Sequence, residues 1–167
     1  MVEPHVFRRV LGRFATGITV VTTGTTGDFH GMTANAFASV SLDPPLVLVA
    51  VDRRARTCRR IPRFRAFGVN ILKEDQADLS DQFAGRRGRQ DAPPPALRLF
   101  TAVTGTPLLA GTAAQLDCAL YQSHEAGDHI IFVGQVLAAR WEDEARPLLF
   151  FGSRYHRLGD EVTPPRS

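Results

Sequence analysis

A cluster of small polar residues precedes an apolar run in the first third of the chain. The segment 31–51 reads GMTANAFASVSLDPPLVLVAV, and its polar members include Thr33, Asn35, Ser39 and Ser41. Small side chains allow backbone amides to approach a flat ligand closely, and hydroxyl and amide groups can hydrogen-bond its edge. The same pattern is also typical of edge-strand packing and turn capping, so the residues alone leave both interpretations open.

A run of arginines follows this cluster directly. Lys73 is the only lysine in a chain of net charge +3, so arginine supplies nearly all of the basic side chains. Guanidinium groups bind phosphate through paired N–H donors, which suits a phosphate-binding turn. A solvated face is the alternative, especially for residues 59–65, and no DNA- or RNA-binding motif supports a nucleic-acid surface. The arginines of the run are Arg53, Arg54, Arg56, Arg59, Arg60, Arg63 and Arg65.

A third candidate is His129, which follows Gly127 and Asp128 at the start of a predicted strand. A histidine beside a turn is often a solvent-exposed or capping residue, but it can also hydrogen-bond a ligand near neutral pH. Cys58 and Cys118 are too few and too far apart for a disulfide framework or a zinc site. We therefore expect reduced thiols and no metal.

Length and composition limit the class of protein. A chain of 167 residues with 44% hydrophobic content fits one domain, which we place at residues 1–159, with a frayed tail at 160–167. No stretch reaches the roughly 18 apolar residues that span a bilayer. The first residues, MVEPH, lack the basic and apolar regions of a signal peptide. The sequence therefore predicts a cytoplasmic protein without a membrane or nucleic-acid partner.

The periodicity of the first half predicts the elements that position these residues. The spacing of Phe7, Val10, Leu11 and Phe14 indicates an amphipathic helix over residues 4–15 with one buried stripe. Runs rich in β-branched and apolar residues predict strands at 18–23, 29–34, 37–42, 46–51 and 67–72.

The second half adds a helix, a loop and a hairpin. Residues 74–84 form a predicted helix, and residues 85–96 form a long surface loop that could act as a lid. Runs at 116–121 and 129–141 indicate a long antiparallel hairpin. About seven strands and two or three helices predict a mainly β fold, an antiparallel barrel with peripheral helices. The sequence has no GxGxxG between a strand and a helix and no GxxxxGK[ST], which argues against a Rossmann site or a P-loop.

Nearly the whole chain, from about residue 5 to residue 158, resembles the flavin reductase family. That family has an FMN-binding split barrel and supplies reduced flavin to two-component monooxygenases. The order and spacing of the matching segments make the resemblance specific. These segments are GMTANAFASVSLDPPLVLV at 31–49, VDRRART at 51–57, FGVNIL at 67–72, GDHIIFVGQV at 127–136 and LLFFGSRYHRL at 148–158.

The resemblance implies a flavin site with a ring-binding part and a phosphate-binding turn. The residues implied to contact the isoalloxazine ring are Thr33, Ala34, Asn35, Ser39, Val40 and Ser41. The turn implied to hold the ribityl chain and the 5′-phosphate contains Asp52, Arg53, Arg54 and Thr57. Ala55 stands where the family often has serine. Phe83 is an implied flavin contact, with helix-core packing as an equal alternative.

The resemblance places the nicotinamide beside His129 and the C-terminal segment. His129 would hydrogen-bond the carboxamide or stabilise negative charge on the reduced flavin, and hydride transfer needs no general base. Arg154 could pair with a dinucleotide phosphate, and Tyr155 could pack at a dimer interface or inside the subunit. Phe151 and Ser153 depart from the family, which commonly has a tyrosine and an extra glycine here.

The implied activity is reduction of FMN by NADH or NADPH in a homodimer, with FAD or riboflavin as alternative flavins. A flavin-dependent monooxygenase would receive the reduced flavin. Two other interpretations stay open. One is an enzyme that keeps FMN bound and reduces another small acceptor, and the other is a flavin- or haem-binding module without turnover.

Overall fold

The β-branched and alternating segments of the sequence form strands in the computed structural model, which describes residues 1–162. The helices are α1 (Pro4–Leu11), α2 (Arg56–Phe64) and α3 (Ala77–Phe83). The strands are β1 (Thr16–Gly17), β2 (Thr19–Thr25), β3 (Asp28–Ala34), β4 (Phe37–Leu42), β5 (Pro45–Asp52), β6 (Ala66–Ile71), β7 (Leu99–Phe100), β8 (Leu108–Leu109), β9 (Ala114–Ala126), β10 (His129–Trp141), β11 (Leu149–Phe151) and β12 (Arg154–His156). Part of the predicted tail, residues 163–167, lies outside the described residues.

Seven strands form one antiparallel sheet in the order β3-β2-β6-β9-β10-β5-β4. Its edge strands, β3 and β4, are consecutive in the chain and are connected only by Asn35 and Ala36. A flat sheet of seven strands would place its edges about 29 Å apart. A two-residue link can span no more than about 11 Å, so the sheet must curl until its edges approach. The predicted mainly β barrel with peripheral helices is confirmed.

The sheet is packed with apolar side chains on both faces. One cluster lies inside the curl and includes Val21, Phe67 and Phe132, while a second cluster includes Val20 and Phe83. Val20 and Val21 belong to different clusters because successive strand residues point to opposite faces. Strand β2 is therefore buried on both sides, which explains its continuous β-branched sequence.

The predicted hairpin and loop are present, with altered bounds and a different role for the loop. Strands β9 and β10 pair over most of their length; β9 is longer than the periodicity predicted, and β10 has the predicted bounds. The loop 85–96 is hydrogen-bonded to β3 and α3: Gly31 N donates to Gln90 O at 2.8 Å, and Gln82 Nε2 donates to Ala92 O at 2.9 Å. It covers a sheet edge, so a lid function has no support in these contacts.

Helix α1 differs from the prediction in length and in burial. It ends at Leu11, and residues 12–14 form a turn. Its apolar stripe is exposed, with 56% exposure at Phe7 and 62% at Val10, and Phe14 in the following turn is 76% exposed. The spacing correctly indicated a helix with an apolar face, but no part of the described chain covers that face.

Helix α2 was missed, because Pro62 and the run of arginines obscured its pattern. Its side chain Arg60 is buried, which makes the predicted solvation of residues 59–65 wrong at this position. Arg60 Nε donates to Thr23 Oγ1 at 3.1 Å, and its Nη2 pairs with Asp28 Oδ1 at 2.8 Å. The guanidinium therefore ties α2 to the hairpin of β2 and β3.

No helix within residues 1–162 combines the length and apolar content needed to cross a membrane.

A buried histidine in β3 lies between charged groups. His30 is 1% exposed, and its Nδ1 has no hydrogen-bond partner within residues 1–162. The pKa of His30 is lowered to about 4, mainly by burial and also by the charges of Arg56 and Arg60, against the opposing effect of Asp91 and Asp28. The folded protein therefore holds this imidazole neutral.

We predict that the stability of the protein falls as the pH drops from about 6.5 to about 4. The unfolded chain protonates His30 near pH 6.5, whereas the folded chain resists protonation until about 4. Protonation therefore favours the unfolded state within this window, by up to about 3 kcal/mol. Urea unfolding at several pH values should show this loss, and it should be smaller in His30→Gln. The exposed His124→Gln is the control, and equal pH slopes in all three proteins would contradict the prediction.

Candidate functional site

A cavity of about 170 Å³ lies between the end of β3, helix α3 and the hairpin of β11 and β12. Thr33, Ala34 and Asn35, which the sequence singled out, border it at the end of β3. Thr33 Oγ1 donates to Ser80 O at 2.6 Å, so the polar cluster is held against α3. Ser80, Arg86 and Tyr155 complete the polar part of the lining.

The next three predicted residues follow on the edge strand β4. Ser39 and Val40 are exposed, and Ser41 is half-buried. The register against β5 shifts between Ser39 and Ser41, so Val40 is the extra residue of a β-bulge. A bulge leaves backbone groups outside the ladder and is frequent beside active sites. These backbone groups are therefore free to hydrogen-bond a ligand.

The predicted phosphate-binding turn follows β5 and is held by its own side chains. Asp52 Oδ1 accepts hydrogen bonds from the Arg54 amide at 2.8 Å and from Arg54 Nε at 3.1 Å. These bonds hold the pKa of Asp52 well below its usual range. Arg53 N donates to Asp128 O at 3.0 Å, and Arg53 Nε donates to Gly127 O at 2.9 Å. The turn is thus docked on the end of the β9–β10 hairpin.

Helix α2 begins directly after this turn, and its N-terminus lacks a capping side chain and contains a hydroxyl group without a hydrogen-bond partner. Its N-cap, Ala55, makes no side-chain cap. Thr57, in the first turn, is fully buried, and its Oγ1 has no hydrogen-bond partner within residues 1–162. A buried hydroxyl without a partner is costly, and a helix N-terminus attracts anions. This end of α2 fits a phosphate whose oxygens supply the missing acceptors.

His129 lies with the phosphate-binding turn. It is opposite Asp52 in the β5–β10 ladder, and its Nδ1 is 2.7 Å from Asp128 Oδ1. This hydrogen bond lowers the pKa of Asp128. The imidazole is partly exposed and orientated by its neighbour, so it can offer its second nitrogen to a ligand.

The C-terminal candidates lie on the other side of the cavity. Tyr155 is half-buried and its hydroxyl hydrogen-bonds Asp81 Oδ1 at 2.6 Å, whereas Arg154 is exposed. Hydrogen bonds hold Tyr155 to α3, and a different hydrogen bond holds His129 to Asp128 beside the phosphate-binding turn. Within residues 1–162, no hydrogen bond links Tyr155 to His129. One chain therefore presents the two parts of the predicted nicotinamide site separately.

Phe83 packs in the apolar core beneath α3, which is the alternative to a flavin contact. It has no exposed surface and meets Phe29 edge to face, with ring centroids 5.8 Å apart. A Cβ at Gly31 would lie 2.6 Å from its ring, so this glycine permits the close packing of β3 on α3. A direct flavin contact by Phe83 has no support in this packing.

Sequence reasoning missed the polar residues Ser80, Asp81 and Arg86 around the cavity. The available signal was weak: Ser80 and Asp81 stand in the middle of a predicted helix whose apolar positions are Leu79 and Phe83. A serine in a helix interior often bonds locally, so its position alone did not indicate a site.

The chain thus combines a curled antiparallel sheet, a cavity at the end of β3, and an uncapped helix N-terminus that follows exposed arginines, an arrangement suited to a flat ligand that carries a phosphate. Residues 11–159 match the family model described as the flavin reductase like domain. The chain belongs to this family.

Individual members of the family match over almost their full length. An NADH-dependent flavin reductase of Rhodococcus sp is 44% identical over 160 residues, which cover 94% of this chain and 88% of the relative. The reductase subunit HsaB of a flavin-dependent monooxygenase of Rhodococcus jostii is 35% identical over 164 residues, covering 98% and 83%. The structure of the Streptomyces globisporus NADH:FAD oxidoreductase SgcE6 with NAD and FAD fragments has a TM-score of 0.86, at 38% identity, and covers 98% of this chain and 99% of that one.

Proposed function

We propose that this chain is an NAD(P)H-dependent flavin reductase that transfers hydride to FMN and supplies reduced flavin to a partner monooxygenase. The observation that carries the proposal is the cavity at Thr33–Asn35, which is followed in the chain by a bulged edge strand and an uncapped helix N-terminus. The names of the flavin reductase and of the monooxygenase reductase subunit HsaB support it. We also propose a cytoplasmic location.

The ring-binding part positions the flavin and supplies no reacting group. FMN, when bound, supplies the hydride acceptor. Thr33 is held by its bond to Ser80, which leaves the amide of Asn35 and the backbone at Ala34 to meet the edge of the ring. The unpaired backbone around Val40 meets the same ligand from the other edge of the sheet. FAD or riboflavin would use the same contacts for the ring.

The phosphate-binding turn distinguishes FMN from riboflavin. Arg53 and Arg54 are exposed beside the N-terminus of α2, and charge-assisted hydrogen bonds from guanidinium groups to phosphate are strong. Thr57 contributes its unpartnered hydroxyl from within the helix.

The nicotinamide nucleotide is bound by His129 and by the segment that contains Arg154 and Tyr155. Because these groups lie apart in one chain, we propose that a homodimer completes the site with the C-terminal segment of the partner subunit. The exposed apolar face of α1 supports the dimer, since an isolated amphipathic helix of this length gains its stability from packing. Two-fold symmetry is the commonest way to cover such a surface.

NADH oxidation with and without added FMN tests the function. Strict dependence on free flavin supports the proposed reductase. Turnover that needs no added flavin but needs another acceptor would indicate an enzyme with resident FMN. An absence of turnover with either nucleotide would indicate a flavin- or haem-binding module.

We predict that Arg54→Ala combined with Thr57→Ala weakens FMN binding at least about tenfold and leaves riboflavin binding nearly unchanged. Only FMN carries the phosphate that these groups would contact, and hydrogen bonds to a charged group are the stronger kind. Fluorescence titration with both flavins measures the two dissociation constants. Arg63→Ala, in the last turn of the same helix, is the control. Equal weakening of both flavins would show that the turn contacts another part of the ligand.

We predict that His129→Ala raises the KM for the nicotinamide nucleotide from a few-fold to about tenfold with little change in kcat. A neutral hydrogen bond to the carboxamide has this magnitude and acts equally in the ground and transition states. Stopped-flow reduction of flavin over a range of NADH and NADPH concentrations separates the two constants. A fall in kcat at constant KM would instead assign His129 to stabilising charge on the reduced flavin.

We predict a dimer mass by light scattering at micromolar concentration. Replacing both Phe7 and Val10 by glutamate should produce monomers with low activity, because two charges would then face the interface. Arg9→Glu in the same helix is the charge control. A wild-type monomer that retains full activity would refute the homodimer.

A further inference from the structure

A hydrogen-bond network connects α3 to the C-terminal hairpin across the rim of the cavity. The Tyr155 hydroxyl is 2.6 Å from Asp81 Oδ1 and 3.0 Å from Ser80 Oγ. A phenol has only one proton to donate, and a carboxylate can only accept. Tyr155 therefore donates to Asp81, and the Ser80 hydroxyl donates to Tyr155.

The partners of Asp81 keep the network in one protonation state. Arg86 Nη1 lies 3.1 Å from the same Asp81 Oδ1. The hydrogen bond from Tyr155, together with Arg86, lowers the pKa of Asp81. Burial and the bond to Asp81 raise the pKa of Tyr155. At neutral pH the carboxylate is ionised and the phenol is protonated, so this pair forms a fixed contact and does not transfer protons.

The contact between Tyr155 and Asp81 matters for the position of the hairpin of β11 and β12, because that hairpin is not part of the seven-stranded sheet. Strands β11 and β12 pair with β1 in a three-stranded sheet, and β12 is its outer strand. Tyr155 joins this outer strand to α3. Arg154 precedes it and points to the opposite face, since side chains alternate along a strand. Fixing Tyr155 therefore also fixes the strand that carries Arg154.

We propose that Asp81 is a positioning residue for the nicotinamide nucleotide: it holds Tyr155, and through it the hairpin 149–156, in the place where the hairpin forms one wall of the cavity. This inference rests on the proposed function, which assigns that hairpin to the nucleotide. Asp81 needs no contact with the ligand in this role. Its loss would leave the hairpin free to occupy several positions, and the nucleotide would then have to select one of them.

The test is a double-mutant cycle of Asp81→Ala and Tyr155→Phe in the full-length protein. Each variant removes one partner of the same hydrogen bond, so the double variant should be no worse than the more affected single variant. We expect the KM for NADH and the calorimetric Kd for NAD⁺ to rise about three- to tenfold in each. In Asp81→Ala, whose side chain does not line the cavity, the Kd for FMN and kcat should stay within about twofold.

Two further variants separate positioning from general damage to α3. Asp81→Asn keeps an oxygen acceptor for Tyr155 and should recover part of the affinity for NAD⁺. Asp78→Asn removes a carboxylate that is 99% exposed on the same helix and should behave as wild type. Hydrogen exchange of residues 149–156 should accelerate in Asp81→Ala and not in Asp78→Asn.

Independent effects of Asp81→Ala and Tyr155→Phe on NAD⁺ binding, or an unchanged Kd, would overturn the inference. So would an equal loss of FMN affinity, which would indicate collapse of the cavity. A wild-type protein that binds NAD⁺ but does not reduce flavin would refute the proposed function instead, and the binding and exchange measurements would still report on Asp81.

Discussion

The two-residue connection between β3 and β4 is the constraint on which the rest of the structure depends. Strands β3 and β4 are the two edges of the seven-stranded sheet, and only Asn35 and Ala36 connect β3 to β4 in the chain. The sheet has to curl because the link is about three times shorter than the flat distance between its edges. The curl encloses the first apolar cluster, and it leaves a seam at the link itself. Thr33, Ala34 and Asn35 border that seam because they are the end of β3 and the start of the link.

The elements around the seam follow from the need to cover two exposed edges. The loop 85–96 and helix α3 cover β3, and the close contact of Phe83 with Gly31 allows the helix to approach. Strand β4 stays open, and its bulge at Val40 interrupts the regular ladder. An open edge with irregular hydrogen bonding would be a liability in a protein without a ligand there. In a flavin reductase the same groups are available to hold the ring.

The chemistry of this site depends on how the flavin and nicotinamide rings are oriented, because hydride transfer requires the two rings to stack and needs no general acid or base. The network of Ser80, Asp81 and Tyr155 holds the phenol protonated. Asp52 and Arg54 hold the phosphate-binding turn, and Asp128 holds both Arg53 of that turn and His129. Both networks consist of ionised groups that meet neutral or oppositely charged partners. Rigid walls of this kind supply rate mainly by restricting the approach of the two reactants.

The sequence by itself determined the seven strands of the main sheet, the β9–β10 hairpin, the barrel class and the segments that carry the family resemblance, but not the short strands β1, β7, β8, β11 and β12. These features depend on residues close together in the chain, through alternation, turn chemistry and spacing. The tertiary structure decided that Arg60 is buried against Asp28, that Phe83 packs on Gly31, and that the apolar face of α1 is left uncovered. It also decided that Tyr155 meets Asp81. Each of these contacts joins residues far apart in the chain or depends on which face is covered, and local periodicity contains no information about partners that only folding brings together.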